Sequence, residues 1–207
     1  MTKNKLISCL GVFLLGLLLC GGVRAVAPDV ASAQVQDTAK RMLAVLEERR
    51  SELDSSPGLI YELVNEIVVP SFDFERITRH AMGRNWRKAN AAQQQALVVE
   101  FRQMLVRVYA KSLLNYAGQE IRILPLRPGK RPNQVTVNTE VNEPGGPTVP
   151  INYRMYLKDG TWKVYDVIID GVSLVSNYRG SFAAEVRRKG VDGLIQTLKA
   201  RNGDGAA

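Results

Sequence analysis

One histidine, His80, and two aspartates four residues apart, Asp166 and Asp170, come nearest to acid–base chemistry in this chain of 207 residues. A single histidine excludes a histidine-rich metal site and any two-histidine mechanism. Its place on a short helical segment between Arg79 and Met82 favours a structural or surface role. A serine triad would need His80 as its base, and no Gly-x-Ser-x-Gly elbow precedes a helix. The sequence also lacks a P-loop, a dinucleotide fingerprint and a calcium loop. Asp166 and Asp170 would stand roughly 13 Å apart on a strand, too far for a direct carboxylate dyad. What survives is a lone buried Asp166 beside Tyr165 or Tyr153, acting as a general base in a cavity. The plainer reading pairs Asp166 with Arg154 and gives Asp170-Gly171 to a strand-to-helix turn.

The chain that must position these residues is 45% apolar and 23% charged, which is globular composition and fits one core. Its first residues do not belong to that core. Lys3 and Lys5 precede an apolar run from Leu6 to Leu19 and then small residues, the layout of a secretory signal. Cleavage is expected after Ala25, making 1-25 a leader and 26-207 a single exported domain. Leu17-Leu18-Leu19-Cys20 is a poorer acylation site because leucine before the cysteine is bulky. The apolar run also falls short of the roughly 20 residues of a membrane span. Loss of Lys3, Lys5 and Arg24 leaves 25 basic residues against 20 acidic ones, so the net charge drops from +8 to +5. Cys9 and Cys20 leave as well, which removes disulfides, thiol catalysis and cysteine-ligated metal from consideration.

The first half reads as helices. Val35, Ala39, Met42, Leu43, Leu46 and Leu53 recur on one face of a long amphipathic helix from Asp29 to Leu53. Ser56-Pro57 is expected to start a second helix, Gly58 to Val69, that Pro70 stops. Asp73 can cap a short third helix that Gly83 ends. Asn90 and Gln93 stand at N-cap and N3 of a fourth, whose stripe runs through Leu97, Phe101, Met104, Leu105, Val108, Tyr109 and Leu113 to about Ala117. Arg102, Arg107 and Lys111 lie off that stripe as a solvated face, and no nucleic-acid motif accompanies them.

After Gly118 the period changes to two. Ile121 and Ile123, then Val135 to Val141, then Val149 to Leu157 alternate with polar residues, and Asp159-Gly160 turns the chain into Thr161 to Asp170. In that fourth strand Trp162, Val164 and Ile168 share one parity and Tyr165, Val167 and Ile169 the other. The mixture predicts either a bulge near Asp166 or cover on both faces. Two closing helices around Gly190 follow, with a frayed tail from Asn202. The expectation is α+β: a four-stranded antiparallel sheet with helices packed on one face. Its apolar face and the helix stripes could form a filled core or enclose an apolar ligand, and periodicity alone leaves both open.

Several local patterns narrow the choice. Val68-Val69-Pro70 with Phe72-Asp73-Phe74, Gly83-Arg84-Asn85-Trp86-Arg87, and Phe101-Arg102 with Leu105-Val106-Arg107-Val108-Tyr109 occur in order. Val167-Ile168-Ile169-Asp170-Gly171-Val172-Ser173-Leu174-Val175 with Asn177-Tyr178-Arg179 and Phe182 completes the series. Together they resemble the MlaC family of periplasmic phospholipid-binding proteins, also called the toluene-tolerance auxiliary family, from about Val35 to Leu198.

The resemblance implies a fold similar to nuclear transport factor 2 and a periplasmic carrier of phospholipid. Its partners would be an inner-membrane ABC-transporter complex and an outer-membrane lipoprotein complex of the Mla type. It implies no catalysis, no cofactor, no metal and no nucleic acid, and a monomer is expected. Acyl chains would lie between sheet and helices with the head group outside. On that basis the expected pocket residues are Tyr109 and Leu113 from the long helix, Ile151, Tyr153 and Met155 from the third strand, and Val164, Val167 and Ile169 from the fourth. Asp170, Gly171 and Ser173 would fix the turn. Arg84, Arg87, Lys88, Arg127, Lys130 and Arg131 are candidate docking charges. The alternatives are an enzyme using Asp166 in the same cone-shaped fold, or a ligand-free envelope adaptor.

Overall fold

The computed structural model describes residues 27–115, 120–142 and 146–203. The expected leader, the Gly118 stop and Gly145 lie outside these residues. Helices come first, an antiparallel sheet next and a closing helix last, so the architecture is α+β as expected.

Helix α1 (Pro28–Glu48) has a proline in its first turn and buries Ala31, Met42 and Leu46. It does not continue to Leu53. Arg49 leaves helical geometry at φ −103°, ψ 22°, and α2 (Arg50–Ser55) begins after it. Glu47-Glu48-Arg49-Arg50 offers no apolar side chain that packing could hold at this turn. Helix α3 (Leu59–Ile67) buries Ile60, Leu63, Val64 and Ile67 at helical spacing. Ser56 does not cap it. Instead a turn precedes the helix, in which the Leu59 N–H donates to the Ser56 carbonyl.

Pro70 sits in a 3-10 turn, Val69–Ser71, that leads to α4 (Phe74–Met82), capped by Asp73 and closed by Gly83 at φ 55°. A second 3-10 turn, Gly83–Lys88, precedes α5 (Ala91–Leu113). The expected capping box is formed: the Gln93 N–H donates to Asn90 Oδ1 at 2.9 Å and the Asn90 N–H to Gln93 Oε1 at 3.0 Å. The helix ends at Leu113, short of the expected Ala117.

Among the described residues the sheet has six strands where four were expected: β1 (Glu120–Ile123), β2 (Arg127–Pro128), β3 (Gln134–Asn142), β4 (Thr148–Lys158), β5 (Thr161–Ile169) and β6 (Val172–Ser173). Both β1 and β2 pair antiparallel with β3, as two pieces of one edge interrupted around Pro125, which has no N–H for the ladder. Strand β6 is a two-residue addition that folds back on Ile168 and Ile169. Its turn, Asp170-Gly171, and the hairpin turn Asp159-Gly160 both take positive φ at each central residue, the geometry that matches strand twist.

The irregular parity of β5 is a bulge. Arg154 pairs with Asp166 but Met155 pairs with Val164, so Tyr165 is the extra residue. Before it Val164 faces Met155, and after it Val167 and Ile169 face Tyr153 and Ile151. One inserted residue thus turns both halves of an out-of-phase strand toward the same side.

Helix α6 (Leu174–Gly203) comprises two helical runs joined at Gly190, whose φ of 73° and ψ of −176° suit glycine alone. Glu185 bridges the two runs by accepting a bond from Thr197 Oγ1 at 2.8 Å. Arg188 and then Thr197 and Lys189 hold its carboxyl down to about 2. Asn202 does not fray, because its Nδ2 donates to the Glu100 carbonyl at 3.0 Å and to Glu100 Oε2 at 2.8 Å.

Buried side chains form three clusters. The first joins α4, the N-terminal half of α5 and α6; the second joins α1, α2 and α3 to Val106 and Ala110 of α5; the third places Ala31 of α1 against Val135, Val137, Met155, Trp162 and Val164 of the sheet.

The Gly190 geometry makes a prediction. Gly190→Ala should lower the unfolding free energy by about 1–3 kcal/mol in urea titrations. Gly180→Ala, in the same helix with open space at its Cβ position, should be neutral or slightly stabilising. Equal effects at the two positions would contradict a kink that requires glycine.

Candidate functional site

The helices cover the sheet without filling the space above it. A cavity of about 350 Å³ lies between them, within the size range of small-molecule sites. The sheet supplies its floor. Helix α1 contributes Val35, Thr38, Ala39, Met42 and Leu43, α3 adds Val64 with Val68 just past its end, and Phe72, Phe74 and Ile77 form the wall at the start of α4. Leu105, Tyr109 and Leu113 come from α5, and Leu174 and Val175 open α6. The wall is almost wholly apolar.

All eight residues expected at a pocket, Tyr109, Leu113, Ile151, Tyr153, Met155, Val164, Val167 and Ile169, line this one cavity. The bulge is why Val164 and Val167 can both do so. One end is closed, where Met155, Val164 and Trp162 have at most 2% of their surface exposed. Toward the other end Leu113, Ile121, Ile151 and Ile169 are half-buried and Tyr109 is exposed, marking an open rim. Burial pushes the Tyr153 hydroxyl up to about 12, so it stays neutral and adds no charge to the wall.

The contribution of α1 and of the Val69 to Ile77 segment was not expected. Val35, Ala39, Met42 and Leu43 read as one stripe of an amphipathic helix, and a stripe facing a cavity has the same period as one facing a filled core. The Phe72-Asp73-Phe74 pattern was the available signal, since two aromatics flank the one residue that caps the next helix.

Two buried carboxylates fix the walls. Asp73 Oδ1 accepts from the Arg76 N–H at 2.9 Å, while Oδ2 accepts from the Tyr156 hydroxyl and from Lys158 Nζ at 3.0 Å. Burial opposes its ionisation, but the bonds from Tyr156, the Arg76 N–H and Lys158 outweigh it and hold the carboxyl below its usual 3.8. The same segment is pinned by the Asp73 N–H on the Val164 carbonyl at 2.9 Å and by Lys163 Nζ on the Pro70 carbonyl at 2.6 Å.

Asp166 performs the matching role for α6. Its Oδ2 accepts from Arg154 at 3.0 Å and from Ser173 Oγ at 2.8 Å, and its Oδ1 accepts from the buried Val175 N–H at 3.2 Å. Ser173 Oγ in turn accepts from the Ser176 N–H at 3.1 Å and caps the helix. Both oxygens of the expected general-base candidate are therefore engaged in holding β5, β6 and α6 together. His80 packs edge-on against Tyr165 on the flank of α4 and is absent from the cavity lining. Among the described residues no group of acidic, histidine or cysteine side chains is arranged to hold a metal ion.

Comparison with known proteins agrees with this geometry. The family model described as MlaC protein matches residues 36–200. The toluene tolerance protein Ttg2D of Pseudomonas putida is 30% identical over 96% of this chain and 92% of its own length. The intermembrane phospholipid transport system binding protein MlaC of Haemophilus influenzae is 22% identical over 84% and 83%. A phospholipid-binding protein from Ralstonia solanacearum, solved in complex with a phospholipid, superposes with a TM-score of 0.78 at 34% identity, covering 86% of this chain and 99% of its own.

The Asp73 anchor gives a pH-dependent prediction. Asp73→Asn should cost about 2 kcal/mol of stability at neutral pH, the scale of lost bonds to a charged group. A lowered folded pKa means that this contribution is complete above about pH 4 and fades as pH falls through the folded value. Urea titrations of both proteins at neutral and strongly acidic pH should therefore converge in acid. A gap that persists there would show that the charge is not what holds the wall.

Proposed function

The chain belongs to the MlaC family, and from that premise we propose that it is a periplasmic carrier of phospholipid that encloses acyl chains in the cavity between sheet and helices. The observation that carries this reading is the cavity itself: closed by Met155 and Val164 at one end, open beside Tyr109 and Leu113 at the other, and apolar between. A hydrocarbon chain needs no more than that. Among the described residues the wall presents no cation to a phosphate, so the head group belongs outside the rim, where it avoids the cost of burial.

Two acyl chains carry on the order of 30 methylenes, whose removal from water would favour binding by roughly 25 kcal/mol at about 0.8 kcal/mol each. Leaving a bilayer for the cavity exchanges one apolar medium for another, so most of that figure cancels. Modest net affinity suits a carrier that must release its cargo. Tyr109, Leu113, Ile151, Tyr153, Met155, Val164, Val167 and Ile169 are the proposed lipid contacts, joined by the α1 residues across the cavity. The Ralstonia structure, solved with a bound phospholipid, supports a phospholipid as the ligand of this fold.

The leader pattern supports export, with residues 26–207 as the mature domain. No helix among the described residues is long and apolar enough to cross a membrane. The name of the Haemophilus relative supports a part in intermembrane phospholipid transport, and the proposal extends it to exchange with an inner-membrane ABC-transporter complex and an outer-membrane lipoprotein complex of the Mla type, with this chain acting as a monomer. The proposal includes similarity to nuclear transport factor 2, which would likewise require an antiparallel sheet with helices over it. No observation favours turnover, since both oxygens of Asp166 are engaged.

Native mass spectrometry of the mature chain, prepared without detergent and paired with solvent extraction, tests the proposal. The wild type should carry phospholipid, and Val167→Glu and Ile151→Trp should each lose most of it while keeping wild-type circular dichroism. Folded variants with full lipid content would overturn the pocket. A wild type that holds no lipid and takes none from vesicles would overturn the carrier.

A further inference from the structure

Charge is unevenly placed along this chain. Residues 28–72 hold eight acidic and four basic side chains, whereas 73–90 and 174–203 together hold four acidic and eleven basic ones. The two groups pack on successive stretches of α5. Helix α3 meets Val106 and Ala110, while α4 and α6 meet Leu97 and Phe101. The molecule therefore has a basic end at the start of α5 and an acidic end beyond its middle.

At the basic end Arg79 of α4, Arg84, Arg87 and Lys88 of the 3-10 turn, and Arg179 of α6 are all exposed. None of the five is ion-paired to a carboxylate among the described residues. Arg179 joins the elements into one surface: its Nε donates to the His80 carbonyl at 3.0 Å, and its side chain passes 3.8 Å from the Cβ position of Gly83. Of the nearby acids, Asp192 is bonded to Gln93 Nε2 at 2.8 Å, and the field of Glu75 reaches Lys158. His80 registers the crowding: burial first, then Arg76 and Arg179, lower its pKa. Gathered like charges destabilise a fold unless something answers them.

We infer that the corner formed by Arg79, Arg84, Arg87, Lys88 and Arg179 is a docking surface for an acidic patch on a protein partner. An anionic bilayer has the same charge, but the position of the corner argues against it, a step that rests on the carrier reading above. The 3-10 turn stands at the start of α5 and Tyr109 near its end, about 27 Å along the axis at 1.5 Å per residue. A bilayer gripping the corner would hold the cavity rim that far from the lipid. Nor does the corner offer anything to insert, since among the described residues the exposed large apolar ones are Val30, Val108, Tyr109 and Val172. A protein can hold the carrier by this end and leave the rim free.

The test uses the full mature chain, a fluorescein-labelled poly-glutamate peptide as the acidic probe, and vesicles of phosphatidylcholine with and without phosphatidylglycerol. Arg84→Glu/Arg87→Glu/Lys88→Glu is compared with Arg127→Glu/Lys130→Glu/Arg131→Glu, which changes net charge equally elsewhere. The first triple should weaken peptide binding by about tenfold or more and the second by about twofold at most, while both keep their lipid. Equal weakening, or no peptide binding by the wild type, would overturn the docking surface. Binding to the phosphatidylglycerol vesicles that the first triple abolishes would overturn the choice of a protein partner. Docking is read from the peptide and the carrier reading from extracted lipid, so failure of one is distinguishable from failure of the other.

Discussion

Two buried aspartates carry the walls of the cavity, Asp73 from outside it and Asp166 from its lining. Asp73 caps α4 while Tyr156 and Lys158 of β4 hold its other oxygen, and Asp166 on β5 receives Arg154, Ser173 and the first turn of α6. Each ties the N-terminus of a cavity-lining helix to the sheet through bonds that do not cross the cavity. An apolar space can remain open only if its walls are held by something other than the contacts that would fill it. The carboxylates meet that need, and the helix N-termini they cap favour their negative charge.

The same constraint explains the bulge at Tyr165. A regular β5 would send Val164 and Val167 to opposite faces and break the apolar floor midway along the strand. With Tyr165 inserted, Val164, Val167 and Ile169 join Met155, Tyr153 and Ile151 in one floor that is apolar except where Asp166 borders it. The bulge also places Asp166 opposite Arg154, within reach of Ser173 and Val175. Floor continuity and wall anchoring thus arise from one extra residue.

Much of this was legible in the sequence because the signals were local. The cap at Asp73, the capping box of Asn90 and Gln93, the turns at Asp159-Gly160 and Asp170-Gly171, and the break at Gly190 each depend on residues within a few positions of one another. The out-of-phase pattern of β5 announced a bulge and even its neighbourhood. What was not legible depends on contacts distant in the chain. The extra edge pieces depend on pairing with β3, and Asn202 is ordered by Glu100. The role of α1 as a cavity wall was hidden because periodicity records which face is apolar and not what the face meets. The eight floor and rim residues could be chosen in advance only because family resemblance told a cavity apart from a core.

The account turns on acyl chains reaching the closed end of the cavity, beside Trp162. A protein with Trp86→Phe, leaving Trp162 as its one tryptophan, can be loaded with phospholipid brominated near the acyl terminus, with unbrominated lipid as the control. The account predicts that the brominated lipid quenches Trp162 fluorescence and the control does not, because Trp162 packs beside Met155 and Val164 of the cavity floor. Stoichiometric binding of the brominated lipid with no quenching would place the chains elsewhere and contradict it.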